Sequence, residues 1–441
     1  MKRLLSIGLA AVFTLSMVLS GCGSNGSSSK DSPASSGSTA QAAPEATAEQ
    51  PVSKTKIRMT YWNKEDTVKT LLSLIEEKLA DVELEYQFID NSQYGNIIET
   101  QLAAGQGPDI IGNGPVAVQK HVKLGYAEDL SRYADKYSES GKLVYSVDGK
   151  LYALPGISWF EGIFYNKDIF EKYGLTPPKT FEEELAIHET LKNAGIKPQA
   201  MGAKSWEPMM KSSMGFVMND FLFTDAGEGF DEEFGKGTKT LDGNWNKSIA
   251  RWAELIKRGY ITKDMLGIDY DQALAEFATG EAAMWESGPW AVDTIKQKNP
   301  DLNFDMFPFY GDEPGTGYLI GGPGVGFEIN KASEGKEAAF KVMDLISTPE
   351  GQKAFWNDNK GGSSYLVGVE LEMPAEFASC AEVLKAGNVY CPWNVWSNQG
   401  YVNFGNIIND YGKYFQELLS GGKDVDEVLK AIDKRAAELR K

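Results

Sequence analysis

The sequence predicts an α/β fold whose body is arranged as mainly parallel sheets flanked by helices. Three observations carry that expectation. The stretch from about Lys54 to Lys441 is long enough for two lobes. Along it, apolar residues switch repeatedly between the period of two expected of strands and the period of about 3.6 expected of helices. The switching comes in two sets, one before Pro155 and one after it.

In the first set, Lys56 to Trp62 alternates and is β-prone. Asp66 to Leu79 then has helical apolar spacing at Val68, Leu71, Leu72, Ile75 and Leu79. Val82 to Ile89 reads as a second strand, and Tyr94 to Ala104 as a helix closed by Gly105. Pro108 to Ile111 is a short buried strand ending at Gly112-Asn113-Gly114. Strand, helix, strand, helix, strand predicts a parallel sheet covered on both faces. Ligands in such sheets sit beyond the carboxyl ends of the strands, where Trp62, Asn63, Glu65, Asp66 and Asn113 fall.

In the second set, Ile163 to Tyr165 is a strand, and a short helix from Ile169 stops at Gly174. Helices follow at Phe181 to Ala194, Ser248 to Lys257 and Asp271 to Thr279, then a strand from Ala282 to Trp285. The last helices are expected at Glu337 to Ile346, Pro349 to Trp356, Asn406 to Leu419 and Val425 to Arg440. No internal repeat of fixed period is present.

The amino end reads differently. Lys2 and Arg3 precede a short apolar run from Leu4 to Leu19, too short for a comfortable membrane span. Residues 1–21 therefore read as a signal peptide. The run ends in Leu19-Ser20-Gly21-Cys22, which resembles a lipobox, with Cys22 the residue that would carry the lipid. Residues 22–53 are rich in Ser, Gly, Ala and Pro and cannot bury enough apolar area to order themselves. As a flexible tether they would reach about 30 Å. The expected location is the outer face of a cell membrane, or the periplasm, held by the lipid alone.

Composition narrows the function. The chain carries 62 acidic and 44 basic residues, a net charge of −18, which argues against nucleic acid as a partner. Two histidines, His121 and His188, with no Cys/His spacing of the zinc kind give no metal site. His188 falls on the polar face of its predicted helix. No P-loop or nucleotide fingerprint occurs; Gly321 to Gly326 is glycine-rich but lacks the Lys-Ser/Thr of a phosphate cradle. No cofactor is expected. Cys380 and Cys391 are candidates for a disulfide closing a short loop, the alternative being two free thiols.

Several segments together resemble the family 1 extracellular solute-binding proteins, the group that includes maltose-binding protein and multiple-sugar-binding lipoproteins. They are Leu102 to Gly105 with Pro108 to Ile111, Gly149 to Pro155 followed by Phe164 to Asp168, and Phe277 to Met284 with Gly288-Pro289-Trp290. Gly326 to Asn330, Ala338 to Phe340 and Thr348 to Gly351 complete the set. The resemblance implies the type II periplasmic-binding-protein-like fold, two hinged lobes with the ligand in the cleft between them. By carry-over, the first lobe is 54–157 plus 308–345 and the second 158–307 plus 346–441, with crossings near Gly156, Phe307 and Ser347. It implies an oligosaccharide as ligand, the transmembrane permease subunits of an ABC importer as partner, and a monomer that is not an enzyme. Val367 to Asn403 departs from the family pattern.

A pyranose has an apolar C–H face and a belt of hydroxyls, so its site needs flat aromatics beside carboxylates and amides. The chain has ten tryptophans. Trp62 neighbours Asp66, Trp159 neighbours Glu161, Trp206 precedes Glu207, Trp290 follows Glu286, and Trp393 and Trp396 flank Asn394. Trp62, Asp66, Trp159, Glu161, Trp206, Glu286, Trp290, Trp393 and Trp396, with Asn113, are the candidate ligand residues; Trp290 also matches the family's sugar-stacking position. Trp252 and Trp356 lie within predicted helices and read as packing. The rival readings are an extracellular glycoside hydrolase or lyase using paired carboxylates, and a binder of a non-sugar solute or a sensory binding protein.

Overall fold

A computed structural model describes residues 54–311, 317–358, 360–398, 401 and 403–441. The signal peptide, Cys22 and the tether fall outside the described residues. Two sheets organise the body. The first runs in spatial order Val82–Phe88, Thr55–Tyr61, Ile110–Asn113, Gly326–Ile329, Leu154–Pro155. Its first three strands are parallel, as the strand–helix alternation predicts, and Gly326–Ile329 joins antiparallel to Ile110–Asn113. Apolar side chains alternate inward along Thr55–Tyr61, so Ile57, Met59 and Tyr61 are buried. Helix Lys69–Lys78 covers them with Leu71 and Ile75.

The second sheet is mixed. Its centre is the long strand Ser158–Asn166, which pairs antiparallel with Ala282–Ser287, Phe304–Phe307 and Leu319–Pro323. Parallel pairing survives between Lys197–Ala200 and Ala282–Ser287, and between Leu319–Pro323 and Val389–Tyr390. Each sheet has its own hydrophobic core, one built around Met59, Phe327 and Phe355, the other around Phe164, Trp252 and Tyr411. A smaller cluster of Ile89, Tyr94, Ile98, Leu102 and Ile111 lies under helix Asn91–Ala103.

The chain passes between the cores at three places. The first is at Gly156–Ile157, between Leu154–Pro155 and Ser158–Asn166. The second falls between Pro323 and Gly326, later than the expected Phe307. Phe304–Phe307 and Leu319–Pro323 both pair with Ser158–Asn166, so residues 308–311 and 317–323 stay with the second sheet. The third falls between Leu371 and Phe377, later than the expected Ser347. Helix Pro349–Asn357, capped by the Thr348 hydroxyl, turns back and buries Ala354 and Phe355 in the first core. The first two passages are tied together, since Gly156 N–H donates to the Val325 carbonyl at 2.9 Å; beside them Ser158 N–H donates to the Ser363 carbonyl at 2.8 Å.

The glycine-rich run Gly321 to Gly326 is the second passage, and its glycines serve close approach. A Cβ on Gly321 would lie 2.2 Å from the Trp159 carbonyl oxygen, and one on Gly324 would lie 2.8 Å from that of Ile157. Gly322 adopts φ +149°, which favours glycine. Among the described residues, no helix is long and apolar enough to cross a membrane.

Candidate functional site

The second-lobe wall is a run of three indoles. Trp159 is the second residue of strand Ser158–Asn166, with its ring centroid 6.4 Å from that of Trp290 and 5.9 Å from that of Trp393. Trp290 follows Gly288-Pro289 and is 37% exposed, the most open of the three. The turn is tight enough that a Cβ on Gly288 would strike the Trp290 ring at 2.3 Å. Its indole N–H donates to the Tyr270 hydroxyl at 3.0 Å, which fixes the ring's direction. Trp393 opens helix Pro392–Ser397 and is mostly buried. Trp159 also abuts the second passage, 3.3 Å from a Cβ placed on Gly324, so the run lies at the junction of the two cores.

Behind the indoles sits a charged cluster. Lys211, on helix Trp206–Val217, forms ion pairs with Glu161 and, at 2.7 Å, with Glu207. Its ammonium lies 5.0 Å from the Trp159 ring and 5.5 Å from that of Trp290, in cation–π range. Burial works against the lysine's charge, but Glu161 and Glu207 more than offset it and hold its pKa above the ordinary value. Burial raises the Glu161 carboxyl, and Lys211 only partly counters this. Glu286 is buried nearby; neither of its oxygens makes a hydrogen bond of normal geometry, although Ser212 lies close. Burial, with Glu161 adding to it, pushes the Glu286 carboxyl well above the carboxylate range.

The first-lobe residues gather beyond the end of Thr55–Tyr61. Trp62 is half-buried and packs edge-on against Tyr61 and Tyr94, with centroids 4.6 and 5.5 Å away. The Tyr86 hydroxyl donates to the Asn63 carbonyl at 2.5 Å, and the carboxylates of Glu65 and Asp66 act on that tyrosine. Asp66 itself is exposed, on the short turn Glu65–Thr67.

Other candidates are placed elsewhere. Asn113 is buried in a brace in which its amide donates to Glu328 at 2.6 Å while His121 meets the same oxygen at 2.6 Å. Burial opposes the charge on His121, but Glu328 more than offsets it and raises its pKa. The brace ties helix Pro115–Leu124 to Gly326–Ile329. Trp206 begins helix Trp206–Val217 where that helix crosses Ile407–Ser420; a Cβ on Gly412 would lie 2.2 Å from its carbonyl oxygen. Trp396 is wholly buried, edge-on to Phe234 at 4.8 Å, and its N–H donates to Asp231 at 2.7 Å. It belongs to the second core, because its amphipathic ring finds both apolar packing and a polar partner there.

One further expectation, that for His188, is corrected, and the two cysteines take the second of the readings left open. Cys380 and Cys391 are free and buried: the Cys380 thiol meets the Met306 carbonyl at 3.1 Å, while Cys391 precedes helix Pro392–Ser397. Burial pushes both thiols well up, so they are inert. His188 is fully buried, not on a polar face, bonded to the Glu184 carbonyl at 2.8 Å and to Gln199 at 3.2 Å. Trp356, read as packing, does pack half-buried against the first core, and it also lines a cavity together with Trp290. Sequence reasoning missed Lys211, Glu207 and Tyr270. A signal for Lys211 was present: it is the single cation in the apolar stretch Met209 to Val217, four residues after Glu207.

Among the described residues no cluster of three metal-ligating side chains occurs. The arrangement can hold a flat, hydroxyl-bearing molecule between aromatic faces, with Tyr270 and the Lys211 cluster as polar partners.

Comparison with known proteins agrees with the fold. The model for bacterial extracellular solute-binding proteins matches residues 61–353. A multiple sugar-binding protein of Streptococcus mutans is 24% identical over 311 residues, covering 68% of this chain and 74% of that relative. A family 1 extracellular solute-binding protein from Bifidobacterium longum subsp. infantis has a TM-score of 0.68 at 26% identity, covering 87% of this chain and 99% of that one. A chitin oligosaccharide binding protein has a TM-score of 0.73 at 24% identity, covering 88% and 99%. With the family model spanning well over half of the sequence and the two-sheet body superposing along nearly the whole of these structures, the chain belongs to the bacterial extracellular solute-binding protein family.

Proposed function

We propose that this chain is the substrate-capturing lipoprotein of a bacterial ABC importer and that its ligand is an oligosaccharide. The observation that carries the ligand is the run Trp290–Trp159–Trp393, three indoles in sequence at one wall of the junction between the cores. Indole faces suit the C–H faces of pyranoses. Tyr270 and the carboxylates around Lys211 suit their hydroxyls. Lys211, the cation in range of the Trp159 and Trp290 rings, already serves Glu161 and Glu207 and is not free for a phosphate ester. Trp62 and Asp66 supply the first-lobe side. Closure about the three passages would bring both walls onto the sugar, and the closed form is favoured by contacts made to both lobes at once. The protein acts as a monomer without cofactor and hands its cargo to the permease.

A catalytic role for Glu161 and Glu286 is disfavoured by their burial and by the ion pair that occupies Glu161. A thermal-shift screen against a glycan panel tests the ligand: a sugar at 100 times its Kd adds about 2.7 kcal/mol of stability. No shift from any glycan removes the oligosaccharide reading, and new reducing ends on incubation would restore the enzyme reading. The anchor rests on Cys22. Cys22→Ala should release the protein from membranes, and a variant that stays as firmly bound as wild type refutes the lipid anchor.

A further inference from the structure

We propose that the groove has two end subsites joined by the three indoles, so that the ligand is an extended oligosaccharide of at least three rings, with Trp356 reading one end and Asn394 the other. This rests on the oligosaccharide reading above. Two cavities carry it. One of about 410 Å³ has Trp290 in its wall, and one of about 290 Å³ has Trp393 in its wall. Trp159 touches both of those indoles, so the order is cavity, Trp290, Trp159, Trp393, cavity.

Each cavity is walled from both lobes. The larger sets Trp356, at the end of a helix packed in the first core, across from Trp290 and Phe377. The smaller sets the start of helix Pro115–Leu124 across from Trp393 and Asn394. A ring in either cavity would therefore contact both lobes, and one ring over Trp159 would connect them. Each cavity is also lined by a side chain with hydrogen-bonding capacity. The Trp356 indole N–H is buried and makes no hydrogen bond. Asn394 lines the smaller cavity, and its amide can both donate to and accept from a sugar hydroxyl. Asp293 and Glu372, both exposed on the rim of the larger cavity, are acceptors for further hydroxyls.

The test is calorimetric titration with two ladders, melibiose to raffinose to stachyose, and chitin oligosaccharides of two to five rings. In the series that binds, affinity should climb steeply up to at least the third ring. Trp356→Ala and Asn394→Ala should each shrink the ratio of longest-sugar to shortest-sugar affinity about tenfold, as loss of a good contact does. That ratio does not change when a variant merely loses folded protein, and Trp356→Phe should restore part of it. A flat ladder, or ratios unmoved in both variants, overturns the end subsites while leaving the oligosaccharide reading standing. No heat from either ladder or from a wider glycan panel sinks both.

Discussion

Trp290 and Glu184 contrast a side chain proposed to meet the ligand with one that bears on the fold alone. Trp290 stands 37% exposed over a turn, braced by Tyr270 but not enclosed. Trp290→Ala should weaken sugar binding about 30- to 1000-fold, the equivalent of about 2–4 kcal/mol at a strong hot spot. Its cost in stability should stay below the roughly 3–5 kcal/mol of a truncated core aromatic, because water and not a void replaces the ring. Titration and urea denaturation of the same variant decide this; unchanged affinity with a large loss of stability would put Trp290 in the core. Glu184 is the opposite case. It is 1% exposed, neither oxygen has a hydrogen-bond partner, and burial lifts its pKa to about 8 despite Arg251. A folded value above the unfolded one means that the native state holds the proton longer. Stability is thus fully present below the ordinary carboxyl value and falls as pH rises towards about 8. Within that window the slope is at most about 1.4 kcal/mol per pH unit. Glu184→Gln should flatten the fall, measured by urea denaturation at several pH values; the same slope in both proteins refutes the assignment.

At the scale of elements, terminal chemistry decides where segments begin, and tertiary packing decides what they face. The helix Val425–Leu439 opens with a capping box, the Asp424 side chain accepting from Glu427 N–H while Glu427 reaches back to Asp424 N–H, both at 2.9 Å. Asp424→Ala should cost about 1 kcal/mol, read as a lower urea midpoint without a change in slope; an unshifted midpoint means the box adds nothing. Such signals, with apolar periodicity, made most helices legible to within a residue or two: Phe181–Asn193, Tyr270–Ala278, Lys336–Ile346 and Ile407–Ser420 all lie where the pattern places them. The passages between cores were less legible. Thr348-Pro349 marks a helix start equally well at a hinge or inside a lobe, and only the burial of Phe355 in the first core shows which.

The whole molecule has two cores between which the chain passes three times, and the proposed response to ligand is relative motion of the lobes about those passages. Small-angle scattering should show a smaller radius of gyration when a sugar from the binding series saturates the protein. An identical radius at saturation counts against closure and leaves binding itself to the calorimetry. The −18 net charge is expected to serve solubility more than recognition, so affinity for a neutral sugar should change little with salt.

By itself the sequence determined the α/β class, the order of the strands and helices that open the first sheet, most of the long helices, and the family, because these depend on local periodicity, capping and short motifs that neighbouring residues carry among themselves; helices Pro115–Leu124 and Trp206–Val217 and strands Lys197–Ala200 and Phe304–Phe307 went unread. It also marked out Trp159, Glu161 and Trp290 as residues of the right chemistry. Only the tertiary structure decided which indoles share a wall, since Trp159, Trp290 and Trp393 come from three distant segments while Trp396, three residues after Trp393, turns into the core. It likewise decided that Lys211 pairs with Glu161 across fifty positions, that Asn113 is engaged in the brace with Glu328, and that Cys380 and Cys391 stay unpaired. These are outcomes of how the two sheets and their helices pack, and side-chain direction at long range leaves no local pattern to read.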